Sequence, residues 1–423
     1  MKNARFLRGL VRSVTLTVAG LGILGVASLA DAQTTLKVLS ERFPALEYYV
    51  KAMGQAPGVK VEGTLLPSNK LREISILNLS TGSSAYDILW GNDLDIQALA
   101  SKGWLEPLDP YLAKYNAQYH LDDFPASVLK PFTYEGKVYA LPFGTNVMFL
   151  FYRKDLLEAK GIKPPQTFDE YLQAAKALTT KDMFGTTMCL KRVSSTLNDF
   201  QWYLNGHGGH WFDAKWKPAF NSPEGVQAVE ALKEMMKYAP PGVHAYGNDE
   251  CTVALTQGVV AMGLQWQSRA AAMDNPKTSK VVGKIEWASP PSRGKGVPAG
   301  QRLAIDAYVI SKFSKADKDL VFRTLAYASR RESMRGAAKL ALPTRAPLLK
   351  DPELVKQYRD WPAALAALQV AQPLPPLPEF LELGEGITTK IQQALAGQLT
   401  PKQALDQAAK DAEDLLRSRG YYK

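Results

Sequence analysis

From about residue 35 the chain alternates short apolar runs with stretches of helical period. Thr35–Leu39 reads as a strand, and Phe43–Met53 as a helix after a turn. Val59–Leu66 reads as a second strand, Leu71–Asn78 as helical, Tyr86–Trp90 as a third strand and Asp95–Ser101 as helical again. Such alternation predicts an α/β architecture with largely parallel pairing. Further on, Val147–Tyr152 has the look of a buried strand. Thr167-Phe-Asp-Glu170 is a capping box, and its helix carries Phe168, Tyr171, Leu172, Ala175 and Leu178 on one face. Ser222-Pro223 and Thr400-Pro401 each place proline at a first helical position, where no hydrogen bond is lost. The first of these helices presents Val226, Val229, Leu232 and Met236; the second presents Leu405, Ala408, Ala412 and Leu416. Prolines at 290–291 and 373–378 mark breaks. No internal repeat or low-complexity segment is present.

The N-terminus has a different pattern. Lys2, Arg5, Arg8 and Arg12 precede an apolar stretch from Val14 to Ala27, then Ala30-Asp31-Ala32. This is the order of a secretory signal peptide, expected to be cleaved after Ala32. The apolar stretch is short for a bilayer-spanning helix of about 20 residues. No lipobox cysteine precedes the cut. Without residues 1–32 the formal charge falls from +10 to +7. The remaining bases are interspersed with acids, and there is no zinc-finger spacing or RNA-binding aromatic motif, so nucleic acid is not an expected partner. A soluble periplasmic protein is expected. Export also changes the reading of the two cysteines: Cys189 and Cys251 would meet an oxidising compartment, so either a disulfide or two separate buried thiols fits.

Enzymatic signatures are missing. The chain has no Walker A loop, no strand-to-helix G-x-G-x-x-G, no G-x-S-x-G elbow and no H-E-x-x-H. Gly294, Gly296 and Gly300 read as a turn. His207 and His210 have no neighbouring cysteine or glutamate to complete a zinc site. Asp122-Asp123 and Asp249-Glu250 are adjacent acids, poorly placed to flank a glycosidic bond. No catalytic residue, cofactor or metal is expected. The aromatic residues carry more information. Trp90 leads into Gly91-Asn92-Asp93, Trp202 follows Asn198-Asp199, and Trp266 lies between Gln265 and Gln267. Each joins a flat apolar face to nearby polar groups, as carbohydrate recognition requires, although core packing is the alternative for any one of them.

The segment Tyr86-Asp-Ile-Leu-Trp-Gly-Asn-Asp93, followed by Leu99-Ala-Ser-Lys-Gly-Trp-Leu-Glu-Pro-Leu-Asp109, resembles the third strand, helix and turn of the family 1, maltose-binding-like extracellular solute-binding proteins of ABC importers. Glu135–Asn146 and Phe151–Leu157 resemble that family's first crossover, and Ala304–Lys312 its second. Leu255–Met262 resembles the helix and strand leading to a ligand-side tryptophan. Ala394–Leu405 resembles the C-terminal helix pair. Pro343-Thr-Arg345 and the ending Gly420-Tyr-Tyr-Lys423 lean toward sugar- and polyol-binding members.

The resemblance implies a two-lobed periplasmic-binding-protein fold of type II. Each lobe would be a mainly parallel sheet flanked by helices, joined by a multi-strand hinge. Residues 33–145 and 303–349 would form the N-terminal lobe, and residues 146–302 and 350–423 the C-terminal lobe. By motif position, the ligand-binding candidates are Arg42, Phe43, Trp90, Asn92, Asp93, Asn146, Asn198, Asp199, Trp202, Trp266, Arg302 and Arg345. Trp90 and Trp266 would stack on the ligand, Asp93 and Asp199 would accept hydroxyl hydrogens, and the asparagines would do both. Arg42 or Arg345 would fork onto an acidic ligand group. Phe380–Gly386 lacks the stacking tryptophan of maltose binders, which favours a smaller sugar, polyol or sugar derivative. The expected partner is an ABC permease, served by a monomeric carrier. The alternatives are the same fold binding a polyamine or organic acid, or an exported carbohydrate-active enzyme.

Overall fold

A computed structural model describes residues 33–422 apart from 295, 296 and 298. The expected signal peptide lies outside these residues. Ten strands are present among the described residues: β1 (Thr34–Glu41), β2 (Val59–Leu66), β3 (Ile88–Asn92), β4 (Thr133–Tyr134), β5 (Lys137–Val138), β6 (Ala140–Arg153), β7 (Phe184–Thr187), β8 (Val260–Trp266), β9 (Ile285–Ala288) and β10 (Leu303–Ile310). Eight of them share one continuous path, β2-β1-β3-β10-β6-β8-β7, with β9 also on β6. β4 and β5 form a separate hairpin.

The outer pairs β1–β2, β1–β3 and β7–β8 are parallel, each linked through helices. Parallel neighbours need such crossovers. The central strands β10 and β6 run antiparallel to their neighbours. β6 belongs to both halves of the molecule. Its first part, Ala140–Val147, pairs with β10. From Met148 it pairs with β8, and from Leu150 also with β9. The sheet therefore changes partners within a single strand.

That change explains why the sequence shows such a long apolar segment here. Every residue from Ala140 to Phe151 is buried, because both faces of the strand are covered. Side chains alternate across a strand. Phe149 and Phe151 join a core that holds Leu36, Tyr49, Phe143, Tyr308 and Trp361. Met148 and Leu150 join a second core around Tyr171, Trp202, Trp211 and Phe380.

The capping box at Thr167 forms as expected. Its hydroxyl accepts from the Glu170 amide, and the Glu170 carboxylate accepts from the Thr167 amide. The helix Pro401–Ser418 has the same box, closed by Gln403, and buries Leu405, Ala408, Ala412 and Leu416.

Other passes of the chain meet β6 and one another. The Met148 amide donates to the Arg302 carbonyl at 3.2 Å, and the Leu303 amide to the Gln372 carbonyl at 2.9 Å. The Gln372 amide donates to the Gln301 carbonyl at 3.0 Å. The Gln201 side chain donates to that same Gln372 carbonyl at 2.9 Å. Just ahead of this junction Gly300 adopts φ +65°, and a Cβ there would lie 2.4 Å from that of Asn205. Only glycine meets both conditions without strain. Cys189 and Cys251 are joined by a disulfide, with Cα atoms 6.1 Å apart, tying the end of β7 to the helix before β8.

Candidate ligand cleft

In open α/β sheets ligands sit outside the carboxyl ends of the strands, where successive connections diverge. The order β2-β1-β3 puts that point between β1 and β3. The residues there are Glu41 at the end of β1 with Arg42 and Phe43 after it, and Asn92 at the end of β3 with Asp93 after it. In the other half, β8 ends at Trp266 and continues into Gln267, Ser268 and Arg269. The two ends face each other. The Arg269 guanidinium lies over the Phe43 ring, 5.5 Å from its centroid, and pairs with Asp249 at 3.1 Å. The Asn146 amide spans the junction from β6: it donates to Ser268 Oγ at 2.8 Å and accepts from the Ser268 amide at 3.2 Å. Trp266 Nε1 donates to Asn248 Oδ1 at 3.2 Å.

On the β3 side, Trp90 Nε1 donates to Asp306 Oδ1 at 3.1 Å. Arg72 forks onto Asp95 at 2.7 and 3.2 Å and lies 5.9 Å from the centre of the Trp90 ring. Trp90, Arg72 and Asp95 help to line a cavity of about 460 Å³ between the helix Ser68–Ser80 and the start of the helix Phe380–Leu395. Leu71, Leu99 and Leu381 give it an apolar wall. Asn92 is half-buried, and its Oδ1 accepts from the Leu94 amide at 3.0 Å, which fixes the turn leaving β3.

Asp93 and Arg302 form a buried ion pair at 2.8 Å, and Asp93 also accepts from the Ile305 amide at 3.2 Å. Burial pushes the Asp93 carboxyl up and the Arg302 guanidinium down, and each charge opposes the other's shift. The pair clamps the turn after β3 onto the entry to β10. This holds the cleft's foundation and leaves neither charge open to solvent.

Several of the expected ligand residues are buried and engaged within the protein. Trp202 does not face the cleft. It is 2% exposed, packs against Phe168, Tyr171 and Tyr203, and donates to the Pro291 carbonyl at 2.9 Å. Arg345 is fully buried. It donates to the carbonyls of Ser329 and His120, pairs with Asp123, and covers the face of Phe124. Its Nε and Nη1 are bonded inside the first core. Asp199 accepts from the Cys189 amide at 3.0 Å beside the disulfide, in a site so buried that its carboxyl is pushed up to about 8. Asn198, buried on the same helix, makes no side-chain hydrogen bond among the described residues. Arg42 is exposed and donates to the Leu65 carbonyl at 3.1 Å.

The structure adds residues that sequence reasoning passed over: Asp306, Ser268, Arg269 and Asn248. Asp306 is an acid interrupting the apolar run Ile305-Asp-Ala-Tyr-Val-Ile310, and that interruption was its one visible signal. Among the described residues no cluster of three or more His, Cys, Asp or Glu is arranged to hold a metal. No described helix is long and apolar enough to cross a membrane.

Two α/β halves with facing strand ends, joined by a shared strand, define a solute-binding protein of the periplasmic type. Comparison with known proteins agrees. The chain belongs to the bacterial extracellular solute-binding protein family, whose model matches residues 37–334. A probable amino-acid ABC transporter periplasmic-binding protein of Sinorhizobium fredii is 28% identical, over 99% of this chain and 94% of its own. An Agrobacterium radiobacter solute-binding protein solved with ribitol is 25% identical at a TM-score of 0.82, covering 90% of this chain and 98% of its own. One from Agrobacterium vitis solved with D-mannitol is 26% identical at a TM-score of 0.80, covering 92% and 100%.

Proposed function

We propose that this protein is the carrier of an ABC importer that captures a sugar, polyol or sugar derivative between its lobes and hands it to a membrane permease. The observation that carries this reading is the meeting of two strand-end surfaces that offer indole rings, amides and a carboxylate. Trp90 and Asp306 stand on one side of Asn146, and Trp266 and Ser268 on the other. Stacking surfaces beside mixed donors and acceptors suit a polyhydroxy ligand. The ribitol and mannitol bound by the two Agrobacterium proteins support the same class. Residues 33–145 and 303–349 would move as one lobe, and 146–302 and 350–423 as the other, about a hinge at β6 and the Gln301–Gln372 junction. Ligand would shift the population toward the closed form through its higher affinity for that form. The carrier would act in the periplasm, as a monomer, after loss of residues 1–32, and without turning its ligand over.

The test is a thermal-shift screen of residues 33–423 against pentitols, hexitols, monosaccharides and disaccharides, sugar acids, amino acids and polyamines, followed by calorimetry and recovery of the ligand. A polyol or sugar should raise the melting temperature and be returned unchanged. A response confined to polyamines or organic acids would overturn the reading. A zwitterionic amino-acid ligand is the second reading, favoured by the name of the Sinorhizobium relative. The same screen separates the two.

A further inference from the structure

Alternation along β10 puts Ala304, Asp306 and Tyr308 on one face. Tyr308 closes the floor beneath. Its hydroxyl is 2.6 Å from Ser40 Oγ, and its ring packs edge-on against Phe143. Asp306 stands one step outward, half-buried, opposite Asn92 on β3 and Gly144 on β6. Glycine on the β6 side makes room for the Ala341 methyl, 3.1 Å from where a Cβ of residue 144 would stand. The Trp90 indole occupies Oδ1. Oδ2 accepts no hydrogen bond among the described residues.

The arginines near Asp306 are largely engaged, with Arg42 exposed just after the end of β1. Arg302 is the nearest guanidinium, but it is 2% exposed and bonded to Asp93. Arg72 forks onto Asp95. At the rim, Arg269 is paired with Asp249. The Glu41 and Asp93 carboxylates add negative potential at Asp306. Burial is the main cause that lifts its carboxyl to about 7, with these carboxylates adding to it and the Trp90 indole and Arg302 opposing it.

We propose that Asp306 is the specificity-determining group of the cleft, accepting a hydroxyl hydrogen from an uncharged polyhydroxy ligand and rejecting chains that end in a carboxylate. This rests on the carrier reading above. A hydroxyl satisfies the open oxygen. A sugar acid would instead set two acceptors of like charge against each other in a partly dry site, and such repulsion is a strong means of discrimination. A neutral hydroxyl thereby takes the place of the acidic ligand group expected at Arg42 or Arg345.

The test is calorimetry at pH 8, above the raised carboxyl range, with D-mannitol and D-mannonate, which share a carbon chain and differ at one end. If ribitol binds in place of mannitol, ribonate is its partner acid. The wild-type protein should prefer the alcohol by about tenfold or more. Asp306→Asn should weaken the alcohol by about tenfold and bring the two ligands within about threefold of each other. Equal or tighter binding of the acid by the wild type overturns the inference. So does an unchanged ratio in Asp306→Asn with native circular dichroism. If no neutral sugar or polyol binds the wild type at all, the carrier reading fails and this inference fails with it. Loss of the preference in the variant alone marks success of both.

Discussion

The two walls of the cleft share a topology but differ in chemistry. Both are built from the carboxyl ends of parallel strands. On the β1–β3 wall the charges are mostly spent on one another: Asp93 with Arg302, and Asp95 with Arg72. Beside them stand the half-buried Asp306 carboxylate, bonded to the Trp90 indole, and Glu41 and Arg42 at the end of β1. The β8 wall offers amides, a hydroxyl and Trp266, with Arg269 drawn off by Asp249. On the proposal above, one wall would select the charge of the ligand and the other would supply adaptable contacts. The same difference separates two tryptophans of the second core. Trp202 is buried among aromatic rings, and Trp266 is 7% exposed at a strand end.

The sharpest way to break that contrast is to truncate both tryptophans. Trp202→Ala should cost about 3–5 kcal/mol of unfolding free energy in urea, since a large core side chain leaves a cavity. Trp266→Ala should cost less stability and weaken ligand binding about tenfold by calorimetry. Arg302→Ala should come next, losing about 3–5 kcal/mol because Asp93 is left charged and buried. Adding Asp93→Asn should recover part of that loss, which marks the wall's charges as mutually dependent.

Asp199 gives a smaller effect with a definite sign. Its carboxyl is raised from 3.8 to about 8, chiefly by burial, while the Cys189 amide pulls it down. The folded protein therefore holds a proton that the unfolded chain has released. This contribution is complete below about pH 4 and is lost as pH rises toward 8. Asp199→Asn should add about 1–3 kcal/mol at pH 8 and flatten the stability profile between pH 5 and 8. The smallest effect belongs to Arg42→Ala. The side chain is exposed and holds one carbonyl, so stability should change by no more than about 0.5 kcal/mol. If ligand affinity falls sharply, the first wall is more than a charge filter.

The alternation of apolar runs was enough to read most of the first lobe. Strands near Thr35, Val59 and Tyr86, and the helices between them, lie close to where the pattern puts them, because local period and burial agree there. The capping box at Thr167 was legible for the same reason: both partners lie within four residues. The site was less legible. Trp202 and Trp266 look alike in sequence, each with polar neighbours. What separates them is whether other rings arrive from distant segments, such as Phe168 onto Trp202. Arg345 misled in the same way, since its partners Asp123 and His120 are over two hundred residues away. Asp306 was hidden by its company, a lone acid in an apolar strand whose neighbours Trp90 and Asn92 come from elsewhere in the chain.

β6 hands over from one set of partners to another between Val147 and Met148, with a bulge at Phe143 the irregularity in its pairing to β10. Such a strand acts as a torsion bar. A change in the angle between the halves can be taken up as added twist spread over its length, without parting any rung. Twist is the soft deformation of a sheet, and its natural hand is fixed. The protein can therefore flex along one preferred rotation and resist the others. Its amides on either side of Met148 should exchange with solvent as slowly as those of a rigid core, even in a molecule that opens and shuts.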